Sequence, residues 1–359
     1  MTTRVLVIDD SASVRAVLSQ IIEGAPGLSL MGTASDPFIA AKRIREEVPD
    51  VIILDIEMPR MDGITFLRRL MAQHPLPVVI CSGIAGDGSA EALAALEAGA
   101  VEVITKPRAE SPKQLSECGL QIINAVRAAS HARVGGRRPR ELPPLTVEQR
   151  NDANVILGLE RPQGKRTEPV ICLGASTGGT EAIRAVLAKL PANAPGMAIV
   201  QHMPANFTGA FARRLDQLCA VEVKEAEDGD LVAQGRVLIA PGNRHMLLRR
   251  QGANYVARLV DGPAVSRHRP SVDVLFRSAV GAAGGNALGI LLTGMGDDGA
   301  RGLSEMRDAG AWTIAQDEAS CVVFGMPREA IERGAAREVL ALDAIPRAAI
   351  KFADAHSAA

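Results

Sequence analysis

The chain has 359 residues, of which 47% are hydrophobic and 23% charged, with a formal net charge of −1. That length suggests two domains of ~150 residues each, and the apolar share supplies two full cores, which excludes a disordered chain. Near-neutral charge gives no general attraction to nucleic acid or anionic lipid, and no run approaches the ~18 apolar residues of a membrane span.

Aromatic residues are only 3% of the chain, so its cores must be packed with Val, Ile, Leu, Ala and Met, as buried parallel strands are. The cysteines (Cys81, Cys118, Cys172, Cys219 and Cys321) lack CxxC spacing, which points to neither a disulfide framework nor a zinc site. The first apolar run, in MTTRVLVIDD, ends in two acids and does not read as a secretory signal. A cytoplasmic protein without membrane insertion is expected.

In chain order, Arg4–Ile8, Leu28–Thr33, Val51–Leu54, Val78–Cys81 and Val101–Ile104 read as five strands. Residues Val14, Val17, Leu18, Ile21 and Ile22 follow helical spacing, as do Ile64, Leu67, Leu70 and Met71. Repeated β–α units imply a parallel sheet covered on both faces. Asp9 and Asp10 stand at the end of the first strand and Asp55 at the end of the third, in the crevice where open α/β sheets build sites. Carboxylates crowded there repel unless a cation joins them. Oxygen ligands alone suit Mg²⁺. Ser82 and Lys106, at the fourth and fifth strand ends, add a hydroxyl and a positive charge. This set is suited to receiving a phosphoryl group on a carboxylate.

The segments VLVIDDSASVR, LDIEMPRMDG, CSG and TKP resemble a response-regulator receiver domain in order and spacing. The resemblance implies a flavodoxin-like domain with Asp55 as the phosphorylated residue. It also implies Mg²⁺ held by Asp9, Asp10, Asp55 and the Glu57 main chain, with Ser82 and Lys106 as the switch residues. Val103 departs from the pattern, at a position often aromatic in receivers.

Leu115–Ala129 reads as a further helix, and Arg/Gly/Pro-rich and polar chain follows it to Arg166. The expected boundaries are a receiver at 1–120, an interdomain helix and linker at 121–167, and a second domain at 168–350. Arg133, Arg137, Arg138 and Arg140 form a basic cluster, read as solvated linker.

The second domain is again α/β. Val170–Gly174 is a strand, and Gly174-Ala175-Ser176-Thr177-Gly178-Gly179 turns from it into a helix. Such a turn exposes a serine beside helix N–H groups, as in a hydrolase, although anion loops look similar. His202 then ends the next strand, Met197–Gln201, on the same rim, where an imidazole can take the serine proton. After the strand Leu288–Thr293 comes Gly294-Met295-Gly296-Asp297-Asp298-Gly299, and a carboxylate there can orient the imidazole. Spacing leaves open which acid does so. The order Ser, His, Asp differs from that of the α/β-hydrolases. A doubly wound, mostly parallel sheet of another type is expected.

The segments GASTGGTEAI, QHMPANFT, APGNRHM, RPSVDVLF, LLTGMGDDGA and TIAQDEASCVVFGMPREAI resemble the CheB family of chemotaxis protein-glutamate methylesterases. By position the resemblance implies Ser176 as nucleophile, His202 as general base and Asp298 as the acid, with Thr177 and Met295 as oxyanion or neighbouring positions. His245 and His268 are expected to be packing residues. The implied activity is hydrolysis of glutamyl methyl esters and glutamine amides on chemoreceptors, releasing methanol or ammonia, with no cofactor for hydrolysis. The implied partners are methyl-accepting receptors as substrate and the chemotaxis histidine kinase as phosphodonor, with no nucleic acid.

Overall fold

Val-, Ile- and Leu-rich runs become strands and the amphipathic stretches between them become helices. A computed structural model of the chain describes residues 2–83, 88–107, 112–135, 151–160 and 168–357. They divide into two units, Met1–Leu142 and Pro143–Ala359.

The first unit runs β1 (Thr3–Ile8), α1 (Ala12–Glu23), β2 (Leu28–Ala34), α2 (Pro37–Glu46), β3 (Val51–Asp55), α3 (Gly63–Gln73), β4 (Val78–Ser82), α4 (Gly88–Glu97), β5 (Glu102–Thr105) and α5 (Pro112–Ser130). The strands pair in parallel in the order β2-β1-β3-β4-β5. Local chemistry starts the helices: Asp36 caps α2 with Pro37 in its first turn, and Asp62 caps α3 through the Thr65 N–H. The strand order reverses between β1 and β3, so Asp9, Asp10 and Asp55 meet at that switch point. Helix α5 lies against β1, β3, β4 and β5, with Ile122, Ala125, Val126 and Ala129 buried. Its second half therefore packs within the first unit, although the sequence reading gave it to the interdomain segment. Arg137, Arg138 and Arg140 lie outside the described residues.

The second unit runs β6 (Val170–Ala175), α6 (Gly179–Leu187), β7 (Gly196–Gln201), α7 (Ala205–Leu218), β8 (Glu222–Glu225), β9 (Arg236–Ile239), β10 (His245–Gln251), β11 (Asn254–Val260) and α8 (Val272–Ala283). It continues with β12 (Ala287–Leu291), α9 (Ala300–Asp308), β13 (Trp312–Gln316), α10 (Met326–Glu332), β14 (Glu338–Leu340) and α11 (Ile345–Ser357). Its main sheet is parallel throughout, in the order β14-β13-β12-β6-β7-β9-β8. The antiparallel hairpin β10–β11 stands apart from it and packs on α8. From β6 the chain first builds outward through β7, then returns to place β12 on the other side of β6. The switch point falls beside β6.

Residues 151–160 lie in the stretch read as linker, yet they pack onto the second unit. Ala153 and Leu157 are buried in a cluster with Leu247, Val265 and Val274. The Asn154 side chain accepts from buried Arg277 (2.7 Å), Asp152 pairs with Arg301 (2.8 Å) and Glu160 with Arg249 (3.0 Å). Exposed pairs of this kind contribute little, so the apolar cluster carries the attachment. Leu157→Ala is expected to lower the stability of the second unit by roughly 2 kcal/mol or more in urea unfolding. A solvated linker would show no change.

Candidate active site

Three chain segments end at one rim of the second sheet. Ser176 directly follows β6, His202 directly follows β7, and Asp298 lies in the turn after β12. Strand β6 runs between the other two, so the strand ends that carry serine, histidine and acid are neighbours at the switch point. The pairing of β6 with β7 continues up to the site: the His202 N–H donates to the Ala175 carbonyl at 3.1 Å. On the other side the Ser176 N–H donates to the Thr293 carbonyl at 3.0 Å.

Two glycines make this closeness possible. Gly178 has φ +78°, and a Cβ there would lie 2.5 Å from Val322. At Gly294 a Cβ would lie 2.7 Å from the Ser176 Cβ, so the turn after β12 reaches the serine only without a side chain. Thr177 is buried and its carbonyl accepts from the Thr293 hydroxyl (3.0 Å). Met295 is half-buried in the turn after β12.

The adjacent acids have different surroundings. Asp298 is buried and Asp297 is half-exposed. The Asp298 carboxylate accepts from His202 Nε2 (2.8 Å), the Ser271 hydroxyl (2.8 Å), the Val272 N–H (2.8 Å) and the Asp273 N–H (3.1 Å). Ser271 caps α8, so the carboxylate rests on the positive end of a buried helix. Burial works against its charge. The His202 hydrogen bond, the nearby imidazoles of His202 and His268 and the Asp273 N–H outweigh burial and hold this carboxyl below its ordinary value. With Asp298 ionised, His202 carries its hydrogen on Nε2. Its other nitrogen, Nδ1, is buried and makes no hydrogen bond. An imidazole held in this way has a bare lone pair available to accept a proton.

In the first unit, carboxylate oxygens of Asp9, Asp10 and Asp55 lie within 4.8 Å of one another. Lys106 Nζ lies 2.7 Å from Asp55 and 3.0 Å from Asp9, and the Glu57 N–H donates to Asp55 at 3.2 Å. Burial raises the Asp55 carboxyl to about 6, against the Lys106 hydrogen bond that lowers it, while the Asp9 charge adds to the rise. Burial disfavours the Lys106 charge, but its hydrogen bonds and ion pairs with Asp55 and Asp9 leave its value raised. Asp9 Oδ2 is buried and faces the Lys106 ammonium, so the oxygens of this cluster already gather around a positive charge. Ser82 is buried at the end of β4. This acidic pocket fits Mg²⁺, a hard cation that prefers oxygen ligands.

A family model for the CheB methylesterase matches residues 171–349, and one for the response regulator receiver domain matches residues 5–116. The protein-glutamate methylesterase/protein-glutamine glutaminase 5 of Anaeromyxobacter dehalogenans is 61% identical over 96% of this chain and 94% of its own. Number 2 of Rhodospirillum rubrum is 59% identical over 95% of each. The chain belongs to the CheB methylesterase family. The second unit also matches the crystal structure of the Thermotoga maritima CheB methylesterase catalytic domain, at 38% identity and TM-score 0.50, over 52% of this chain and 99% of that one.

Several groups at this CheB-type site escape a reading of motifs. Ser271 and the first N–H groups of α8 hold Asp298, and only a helix-cap signal ahead of VDVLF marks them. His268, expected to be a packing residue, stacks on the His202 ring with centroids 3.6 Å apart and planes 7° from parallel. His245 does pack: it is fully buried, with Nε2 donating to the Pro263 carbonyl (2.9 Å), and burial lowers its pKa.

Asp273 is a second buried carboxyl beside Asp298. Its side chain accepts from the Gly302 N–H (2.7 Å) and lies 3.2 Å from the Ser266 hydroxyl. Burial, and then the Asp298 charge, push its pKa from 3.8 up to about 8. A folded value above the ordinary one means the fold favours the neutral acid. That contribution to stability is whole below the ordinary value of 3.8 and lost as pH rises through about 8. Asp273→Asn is therefore expected to flatten the fall in melting temperature between about pH 5 and pH 8. Thermal unfolding of both proteins across that range checks this, and parallel curves would contradict it.

Proposed function

We propose that the chain is a phosphorylation-activated protein-glutamate methylesterase and protein-glutamine glutaminase acting on chemoreceptors. The observation that carries this reading is a histidine fixed to a buried acid through Nε2, at the strand end adjoining Ser176 and with Nδ1 bare. In the proposed reaction Ser176 Oγ attacks the ester carbonyl of a methylated glutamate side chain, and its proton passes to His202 Nδ1. Asp298 stabilises the imidazolium through the Nε2–H. The Thr177 and Met295 N–H groups face the developing oxyanion, each worth ~3 kcal/mol of barrier. His202 then protonates the departing methanol. Water, losing a proton to His202, cleaves the acyl-enzyme and leaves glutamate. A glutamine side chain follows the same course and releases ammonia.

The phosphoryl transfer belongs to the first unit and the hydrolysis to the second. In the receiver, Asp55 takes the phosphoryl group from a phosphohistidine of the chemotaxis kinase. Lys106, already bonded to Asp55, is placed to neutralise the incoming phosphoryl oxygens, and Ser82 to donate to the phosphoryl once bound. Asp9, Asp10, Asp55 and the Glu57 main chain would hold Mg²⁺, which would supply charge neutralisation for the transferring group. Phosphorylation adds about −2 charge at Asp55 and switches the hydrolase on. No described helix is long and apolar enough to cross a membrane, and we place the protein in the cytoplasm, where receptor methylation sites and the kinase meet.

Ser176→Ala should lower ester hydrolysis on methylated receptor by on the order of 10⁴-fold or more, measured as methanol release. Near wild-type turnover would end the hydrolase reading. Asp55→Asn should keep the basal rate and lose its stimulation by phosphodonor. Full stimulation of that variant would sink the proposed control.

A further inference from the structure

The proposed reaction gives no role to a buried polar side chain that bonds both the serine and the histidine. Gln201 is the last residue of β7, directly before His202, and is only 3% exposed. Its Nε2 donates to two main-chain carbonyls, that of Ser176 at 2.9 Å and that of His202 at 3.0 Å. One amide group therefore ties together the backbones of the serine and the histidine. The amide orientation follows from its partners, because a flipped side chain would set its oxygen against two carbonyl oxygens. Its Oε1 is wedged against the start of α6, where a Cβ at Gly179 would lie 2.1 Å away. That oxygen is buried and makes no hydrogen bond, so the two donations of Nε2 are what the amide contributes here.

The consequence reaches the reacting atoms through peptide geometry. The Ser176 carbonyl accepts from Gln201 and also from the Gly179 N–H at 2.7 Å. That carbonyl and the Thr177 N–H belong to one planar trans peptide and point in opposite directions. Two donors pulling on the carbonyl therefore fix the direction of the Thr177 N–H. A similar arrangement holds across the site: the Gly294 carbonyl accepts from the Gly325 and Met326 N–H groups, at 3.1 and 2.8 Å, which fixes the plane carrying the Met295 N–H. The second plane is pinned by main chain alone. The first depends in part on a side chain, and that side chain can be changed.

We infer that Gln201 is a positioning residue for hydrolysis, which aims the Thr177 N–H at the developing oxyanion and holds the backbones of Ser176 and His202 in register. The inference rests on the hydrolase reading above. Gln201 does not touch substrate. It acts by holding a donor in place before charge develops, where preorganised donors have their largest effect. Mispositioning should therefore weaken binding of the transition state and leave binding of the ground state largely alone.

The test is steady-state methanol release from methyl-esterified receptor by the full-length phosphorylated protein. It compares wild type, Ser176→Ala, Gln201→Met and Gln201→Leu. Methionine keeps the length and bulk of glutamine without its donor, so it separates packing from hydrogen bonding. The expected result for Gln201→Met is a fall in kcat of at least tenfold with KM within twofold of wild type. Labelling of Ser176 by a serine-directed phosphonate should slow in parallel. A Gln201→Met protein with wild-type kcat and labelling rate would overturn the inference and leave the hydrolase reading standing. Failure of the wild type to release methanol would instead overturn the hydrolase reading. Should Gln201→Met fail to fold by circular dichroism, Gln201→Leu decides by the same kinetic split, since leucine fits within the space of glutamine and cannot donate.

Discussion

The second unit depends on placing one carboxylate, Asp298, where water cannot reach it. An unpaired buried charge costs several kcal/mol. Here four donors converge on it, two of them the first main-chain N–H groups of α8 and a third the hydroxyl that caps that helix. The fourth is His202. The acid is thus held mainly by a rigid helix, and the imidazole takes its orientation from an acid that does not move. Neighbouring Asp273 avoids adding a second charge by staying neutral, as its raised pKa indicates.

The two units use one architectural device for two chemistries. Each gathers its polar side chains at the carboxyl ends of parallel strands, where the strand order reverses. Buried aliphatic strands hold those ends rigid, and the side chains just beyond them point into a crevice. The carboxylates at the two sites are tuned in opposite directions. Asp55 is raised to about 6 by burial first and by the Asp9 charge beside it, even with Lys106 bonded to it. Asp298 lies on a helix N-terminus and is lowered. A phosphoryl acceptor and a charge-stabilising acid call for these different surroundings.

Much of this was legible in the sequence, for a physical reason. Runs such as Val51–Asp55 and Val170–Ala175 are buried on both faces and read as continuous apolar stretches, so the polar residue at each end stands out. Ser176, His202, Asp9, Asp55 and Lys106 were all marked in this way. Asp297 and Asp298 differ by burial and not by composition, so spacing alone could not separate them. The turn that carries His268 over His202 runs through Ser266 and Arg267 at φ 49° and 71°, and nothing local announces that conformation for those residues. Strand β8, reading Glu-Val-Lys-Glu at a sheet edge, has too little apolar content to register as a strand, and the β10–β11 hairpin is as polar at its tip. The polar segment 151–160 looked like linker because the partners that bury Leu157, among them Leu247 and Val274, lie far along the chain.

The orientation of the histidine is the claim on which the chemistry turns, and its tautomer tests that most directly. Nitrogen-15 NMR of the full-length protein near neutral pH, with His202 assigned by substitution, reports which ring nitrogen carries the hydrogen. A proton on Nε2 with Nδ1 bare is the result this account predicts. A proton resident on Nδ1 would mean that Asp298 does not hold the ring, and would contradict it.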